Sequence, residues 1–359
     1  MKSAALVMLL ALLVTGCSGG TPEANPTKAP AGVTNTVPPT QSTEGPGSVS
    51  SPSAPTVHRL GADRYVALAT ALNQRGVAIW WETDLVKRWL EGPASFDQAI
   101  VRLGELAKVP GVVGFKVSDE IGYNDGLETM ADATQFLKAA RTRLAQVAPG
   151  KQLLVDAIVP ELGCLPWRGS NQQGCAQRVR LKYPAATAAA LESYLRAGLI
   201  DRLDLSTGLL EDTTYAKWGL TKSEAQTDAW RRVKAQGWPQ LTVLQARKAL
   251  AEPDGYQGDV SQAAEDTRTY VDVPIAAGAK AVDIWTWRQQ YQGKAVSLLG
   301  PSLSPNPLWT ELARRHAAGT QLLTHMTPSQ MPTESAAFNQ ECDLAAAAFT
   351  AVFVAAGTG

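Results

Sequence analysis

Histidine is the scarcest catalytic residue type in this chain. Its 359 residues include only His58, His316 and His325, with four cysteines and five methionines. So few imidazoles leave little material for a multi-histidine zinc set or a serine–histidine hydrolase. Between residues 57 and 359 there is no Gly-x-Ser-x-Gly elbow (the match at 16–20 falls at the start of the tether), and no Gly-x-Gly-x-x-Gly or other phosphate-cradling loop occurs, so neither familiar nucleophile chemistry nor dinucleotide binding is indicated. Charge of one sign is also missing. Lysine plus arginine equals aspartate plus glutamate at 33 each, which excludes a strongly basic nucleic-acid binder. The chain has one long apolar run near its start, and the shorter run at its end does not reach a membrane span.

That first run carries a specific signal. Lys2 precedes "AALVMLLALLVT", followed by Gly16-Cys17, the order of an export signal. "Val-Thr-Gly-Cys" at 14–17 resembles a bacterial lipobox, which implies cleavage before Cys17 and its acylation. Residues 1–16 are therefore expected to be a lipoprotein signal peptide. Residues 17–56, rich in Pro, Ser, Thr and Gly, read as the acylated cysteine and a disordered tether. Multiple acyl chains would hold the protein outside the cytoplasm on the cell membrane. In that compartment Cys164 and Cys175, which bound the polar loop "CLPWRGSNQQGC", are expected to form a disulfide. Cys342 is left over and buried.

From residue 57 to 359, with 330–359 the least defined part, β-rich runs alternate with amphipathic segments. The strands are "VAIWWE" (77–82), "VVGFKV" (112–117), "QLLVDAI" (152–158), "DRLDLS" (201–206), "LTVLQA" (241–246) and "AVDIWTW" (281–287). "TVHRL" (56–60) and "QLLTHM" (321–326) are weaker candidates, and 334–357 reads as a final helix. The alternation argues for parallel βαβ units and, by count, for an α/β fold of (β/α)8 TIM-barrel type.

Strand residues alternate between faces. Trp80 and Glu82 share one face. Lys116, Ser118 and Glu120 share another, as do Asp204 with Ser206, Gln245 with Arg247, and Asp283 with Trp285 and Trp287; Asp156 opposes Val155 and Ala157. In a barrel these groups converge on the interior and its carboxyl-terminal mouth, where unpaired charges would be costly. Glu120 closes "GFKVSDEIGYNDG" (114–126) in phase with the inward face.

Acids with tryptophans in an extracytoplasmic cleft predict glycoside hydrolysis. Glu120 is the expected general acid, with Asp204, Glu161, Glu82 or Asp283 as its partner. Trp80, Tyr123, Asp156, Trp167, Gln245, Arg247, Trp285 and Trp287 would bind a carbohydrate or cell-wall glycan. One alternative is a non-catalytic glycan-binding lipoprotein. No cofactor is expected, unless the chain is a metal-dependent enzyme with Glu82, Glu120, Asp156 and Asp204 as oxygen ligands for Mg2+, Mn2+ or Ca2+. Without imidazole in that set, zinc is disfavoured.

The segments "GVVGFKVSDEIGYNDG", "GKQLLVDAIVPELGCLPW", "DLSTGLL", "LQARKAL" and "AVDIWTWRQQYQG" resemble those of actinobacterial secreted or lipid-anchored proteins of unassigned function with a glycosidase-like barrel. The resemblance covers most of 57–330 and implies such a barrel here. Ser118-Asp119-Glu120 stands where many barrel glycosidases have Asn-Glu.

Overall fold

The computed structural model describes residues 63–355 except 124, 165–171, 207–211, 239–241, 247–249 and 292; for Gln172 and 242–246 it describes the backbone alone. Cys17, the signal and tether segments, the 56–60 candidate strand, Trp167, Arg247 and the Gln245 side chain lie outside the described residues.

The fold is α/β with a parallel sheet. Its strands are β1 (Ala78–Glu82), β2 (Val112–Lys116), β3 (Gln152–Ile158), β4 (Arg202–Ser206), β5 (Thr242–Ala246), β6 (Ala281–Tyr291), β7 (Lys294–Ser297), β8 (Leu322–Met326) and β9 (Ala351–Ala355). The pairing order is β5-β4-β3-β2-β1-β9-β8-β6-β7, and a further β5–β6 pairing returns the sheet to its own start. Eight strands are thus joined by parallel pairings in a ring. β7 lies outside that ring, antiparallel to the extended end of β6.

The six clear strand expectations are met within a residue or two at their starts. The chain end differs from expectation. The helix there stops at Ala346, and 351–355 form β9, which inserts between β1 and β8. Alanine content pointed to helix, but "AVFVA" is buried at every position, which suits a strand covered on both faces.

Helices begin where side chains can satisfy their open N–H groups. Asp63 caps Arg64–Asn73; Thr129 with Asp132, and Thr221 with Glu224, form capping boxes on Met130–Val147 and Lys222–Ala235. Their apolar faces pack on the outward strand residues, including Trp81, Phe115, Val155, Leu203 and Ile284. Inside the ring a second, smaller apolar cluster joins Trp80, Leu154, Ala281, Leu323, Ala351 and Phe353. Among the described residues no helix is long and apolar enough to cross a membrane.

Candidate active site

The inward phase places Glu82, Lys116, Asp156, Asp204 and Asp283 together, as expected from their strands. Lys116 is 1% exposed, and its Nζ lies 3.1 Å from Glu82 Oε1, 3.4 Å from Asp156 Oδ2 and 3.3 Å from Asp204 Oδ2. The β8 residue His325 completes the group. Its Nδ1 is 2.9 Å from Glu82 Oε2 and its Nε2 is 2.6 Å from Asp283 Oδ2. Phe353 forms the floor, its ring centroid 5.1 Å from Lys116 Nζ and 4.9 Å from that of His325.

Electrostatics follow from this crowding. Burial alone would lower the Lys116 pKa, but Glu82, Asp156 and Asp204 raise it well above its usual value, so the amine is an ammonium and no nucleophile. Burial would likewise lower His325, yet the Asp283 and Glu82 carboxylates carry it to about 10. Burial would raise Glu82, but the His325 and Lys116 charges hold it far below the usual carboxylate range. Asp204 goes the other way: burial first, then the Asp283 charge, push it well above its ordinary value despite Lys116. Asp204 and Asp283 are fully buried, and Oδ1 of each has no hydrogen-bond partner. With four acids (Glu82, Asp156, Asp204, Asp283) against two cations (Lys116, His325), the cluster carries a formal surplus of two negative charges.

One ligand atom each from Asp204, Asp283 and His325 lies within 4.8 Å of the others, so these three residues could hold a metal ion. This differs from the anticipated all-oxygen set. Imidazole is present, and Glu120 is not in the group.

The other expected site residues are dispersed. Glu120 sits just past β2 with φ of 57°, a strained conformation for a non-glycine residue, and is nearly buried. Glu161 accepts hydrogen bonds from Arg180 and from the Ala188 N–H, so it braces a helix start and is not open to a substrate. Trp80 belongs to the inner apolar cluster. Trp287 faces outward: the β6–β8 register shifts between Ile284 and Arg288, and its Nε1 donates to Glu341 at 2.9 Å. Trp285 is half-buried, edge-on to Tyr291. Tyr123 is buried and stacked near Tyr183, with centroids 4.3 Å apart. The Cys164–Cys175 disulfide is formed, and Cys342 is free and buried.

No family model and no curated protein matches the chain. Among solved structures it is similar to the carboxyl transferase domain of Rhizobium etli pyruvate carboxylase (TM-score 0.40, 14% identity, 82% of this chain and 42% of that chain). The same domain with pyruvate and biocytin matches with a TM-score of 0.42 and 14% identity over 85% of this chain and 45% of that one. A phosphonomutase-like protein from Burkholderia cenocepacia matches at 0.39 and 14%, over 81% and 90%. The chain spans less than half the length of the pyruvate carboxylase chains, and at these scores none of the matches transfers an activity to it.

The glycan hydrolase and its carbohydrate partner are corrected by the contacts that its expected residues make. Within the site, Glu82, Asp204 and Asp283 are bound up with Lys116 and His325, Glu161 with Arg180, and two of the expected stacking tryptophans are core residues.

Proposed function

We propose that the chain is an extracytoplasmic (β/α)8-barrel enzyme whose Asp204–Asp283–His325 centre holds a first-row divalent cation. The observation that carries this reading is the pair of buried, unpartnered oxygens, Asp204 Oδ1 and Asp283 Oδ1, inside a cluster with two negative charges in excess when all four acids are ionised. Such oxygens cost free energy unless a proton or a cation meets them. One divalent ion would cancel the surplus. Two carboxylates with one imidazole suit Mn2+ or Zn2+ better than Ca2+.

Each residue then has a role. Asp204 and Asp283 would supply oxygen, and His325 would supply Nε2 in place of its hydrogen bond to Asp283. Glu82, accepting from Nδ1–H, would fix the ring's orientation and tautomer as a carboxylate behind a ligating histidine does. Lys116 would hold Glu82, Asp156 and Asp204 apart and remain charged. A bound cation polarises an oxygen of a substrate and lowers the pKa of water. The disulfide supports a compartment outside the cytoplasm, where the lipobox-like start would tether the protein.

The test is metal content after dialysis against Mn2+ or Zn2+, measured by mass spectrometry alongside calorimetric titration. One equivalent is expected in the wild type, with at least 100-fold weaker binding in Asp204→Asn and 10- to 100-fold weaker in Glu82→Gln. A wild type that takes up no metal, or variants that bind it equally well, would refute the assignment.

A further inference from the structure

Acids account for 33 of the 359 residues, yet none lies between Leu162 and Leu191, a stretch containing Arg168, Arg178, Arg180 and Lys182. Within it the helix Gln172–Lys182 is pinned near its start by the disulfide to Cys164, which directly follows the turn Pro160–Gly163. Past its end, Tyr183 meets Tyr123 of the loop after β2. Here the two segments approach closely: a Cβ on Gly122 would lie 2.5 Å from that of Ala185. The helix is therefore fixed beside the carboxyl-terminal ends of β2 and β3. Glu82, the last residue of β1, places the ion cluster toward that same end of the ring.

Arg180 is committed to Glu161. Arg178 and Lys182 are exposed and form no ion pair among the described residues. Lys182 Nζ lies 4.8 Å from the Tyr183 ring centroid, so an aromatic face, not an acid, sets its position. Positive charge with no acidic partner among the described residues, at the same end of the ring as a cation-holding centre, is a poor arrangement for attracting metal and a good one for attracting anions.

The geometry points to an anionic substrate, and we assign Arg178 and Lys182 as the residues that receive its carboxylate or phosphate group. Resting on the metal-centre reading, this places the substrate's second oxygen-bearing group at Asp204, Asp283 and His325.

The test uses the full chain loaded with Mn2+, titrated with inorganic phosphate in one arm and malonate in the other. Ionic strength is held constant with chloride to remove general screening, and glycerol is the neutral control. At least one anion should bind the wild type and glycerol should not. Arg178→Gln should weaken anion binding about tenfold, Lys182→Gln similarly, and the pair more. Mn2+ affinity should be unchanged in all three variants. Anion binding equal in the double variant and the wild type, or absent from the wild type, would overturn the assignment. Failure of Mn2+ to bind while phosphate or malonate still depends on both side chains would remove the metal centre and leave the anion rim standing.

Discussion

Replacing Lys116 with methionine tests the electrostatic account most directly. The side chain is 1% exposed and its ammonium lies within 3.4 Å of three carboxylates. At an effective dielectric of about 20, each contact is worth roughly 5 kcal/mol before desolvation. The ammonium's own desolvation offsets much of that sum. The acids left behind decide the outcome: His325 alone would face four carboxylates, and removing one partner of a buried ionic group costs about 3–5 kcal/mol. We expect that loss in urea unfolding of chelator-treated protein at pH 7. The loss also has a sign in pH. Stranded carboxylates take up protons in the folded state, so their folded pKa values rise above the unfolded ones. Stability of the variant then falls as pH increases through those raised values, and the deficit should be larger at pH 8.5 than at pH 5.5. A variant within about 1 kcal/mol of wild type, or a deficit independent of pH, would show that Lys116 does not neutralise the cluster.

The remaining predictions concern single groups. In metal-free protein, His325, raised to about 10, contributes stability that is complete below about pH 6.5 and is lost as pH rises toward 10. Imidazole NMR should accordingly find it still protonated at pH 8, and His325→Gln should flatten that part of the stability profile. Asp125 accepts hydrogen bonds from the Gly122 and Leu127 N–H groups and from Ser118 Oγ, while burial, opposed by those bonds, pushes its pKa up to about 6. Asp125→Asn keeps the Oδ1 acceptor for both N–H groups and reverses the Ser118 contact, its amide donating to Ser118 Oγ, so it should change stability by under about 1 kcal/mol at pH 7, whereas Asp125→Ala should cost about 1–3 kcal/mol; equal losses in thermal unfolding would contradict this. Reduction of Cys164–Cys175, which closes a short loop of sequence separation 11, should lower stability by about 3 kcal/mol and weaken phosphate binding through the loosened 172–182 helix.

How much of this was legible in the sequence depends on what kind of physics fixed each part. Two-residue alternation is local, so the inward placement of Glu82, Lys116, Asp156, Asp204 and Asp283 could be read from five short strands without any coordinates. Trp287 shows where that rule ends: a register shift between Ile284 and Arg288 reverses the phase, and nothing in "AVDIWTW" announces it. Pairing within the ring is a different matter, because it depends on strand neighbours and stagger. Acids that share a face on separate strands look like a catalytic pair until Lys116 is found between three of them. His325 was within reach, since Leu323 and His325 alternate with outward-facing residues of β8. But β8 is only five residues long, and three scattered histidines count against an imidazole site by number alone. Scarcity is the wrong argument inside a ring. A single buried histidine with a carboxylate on each nitrogen is held in place by its neighbours, and its chemistry is set by that contact, not by how many others the chain contains.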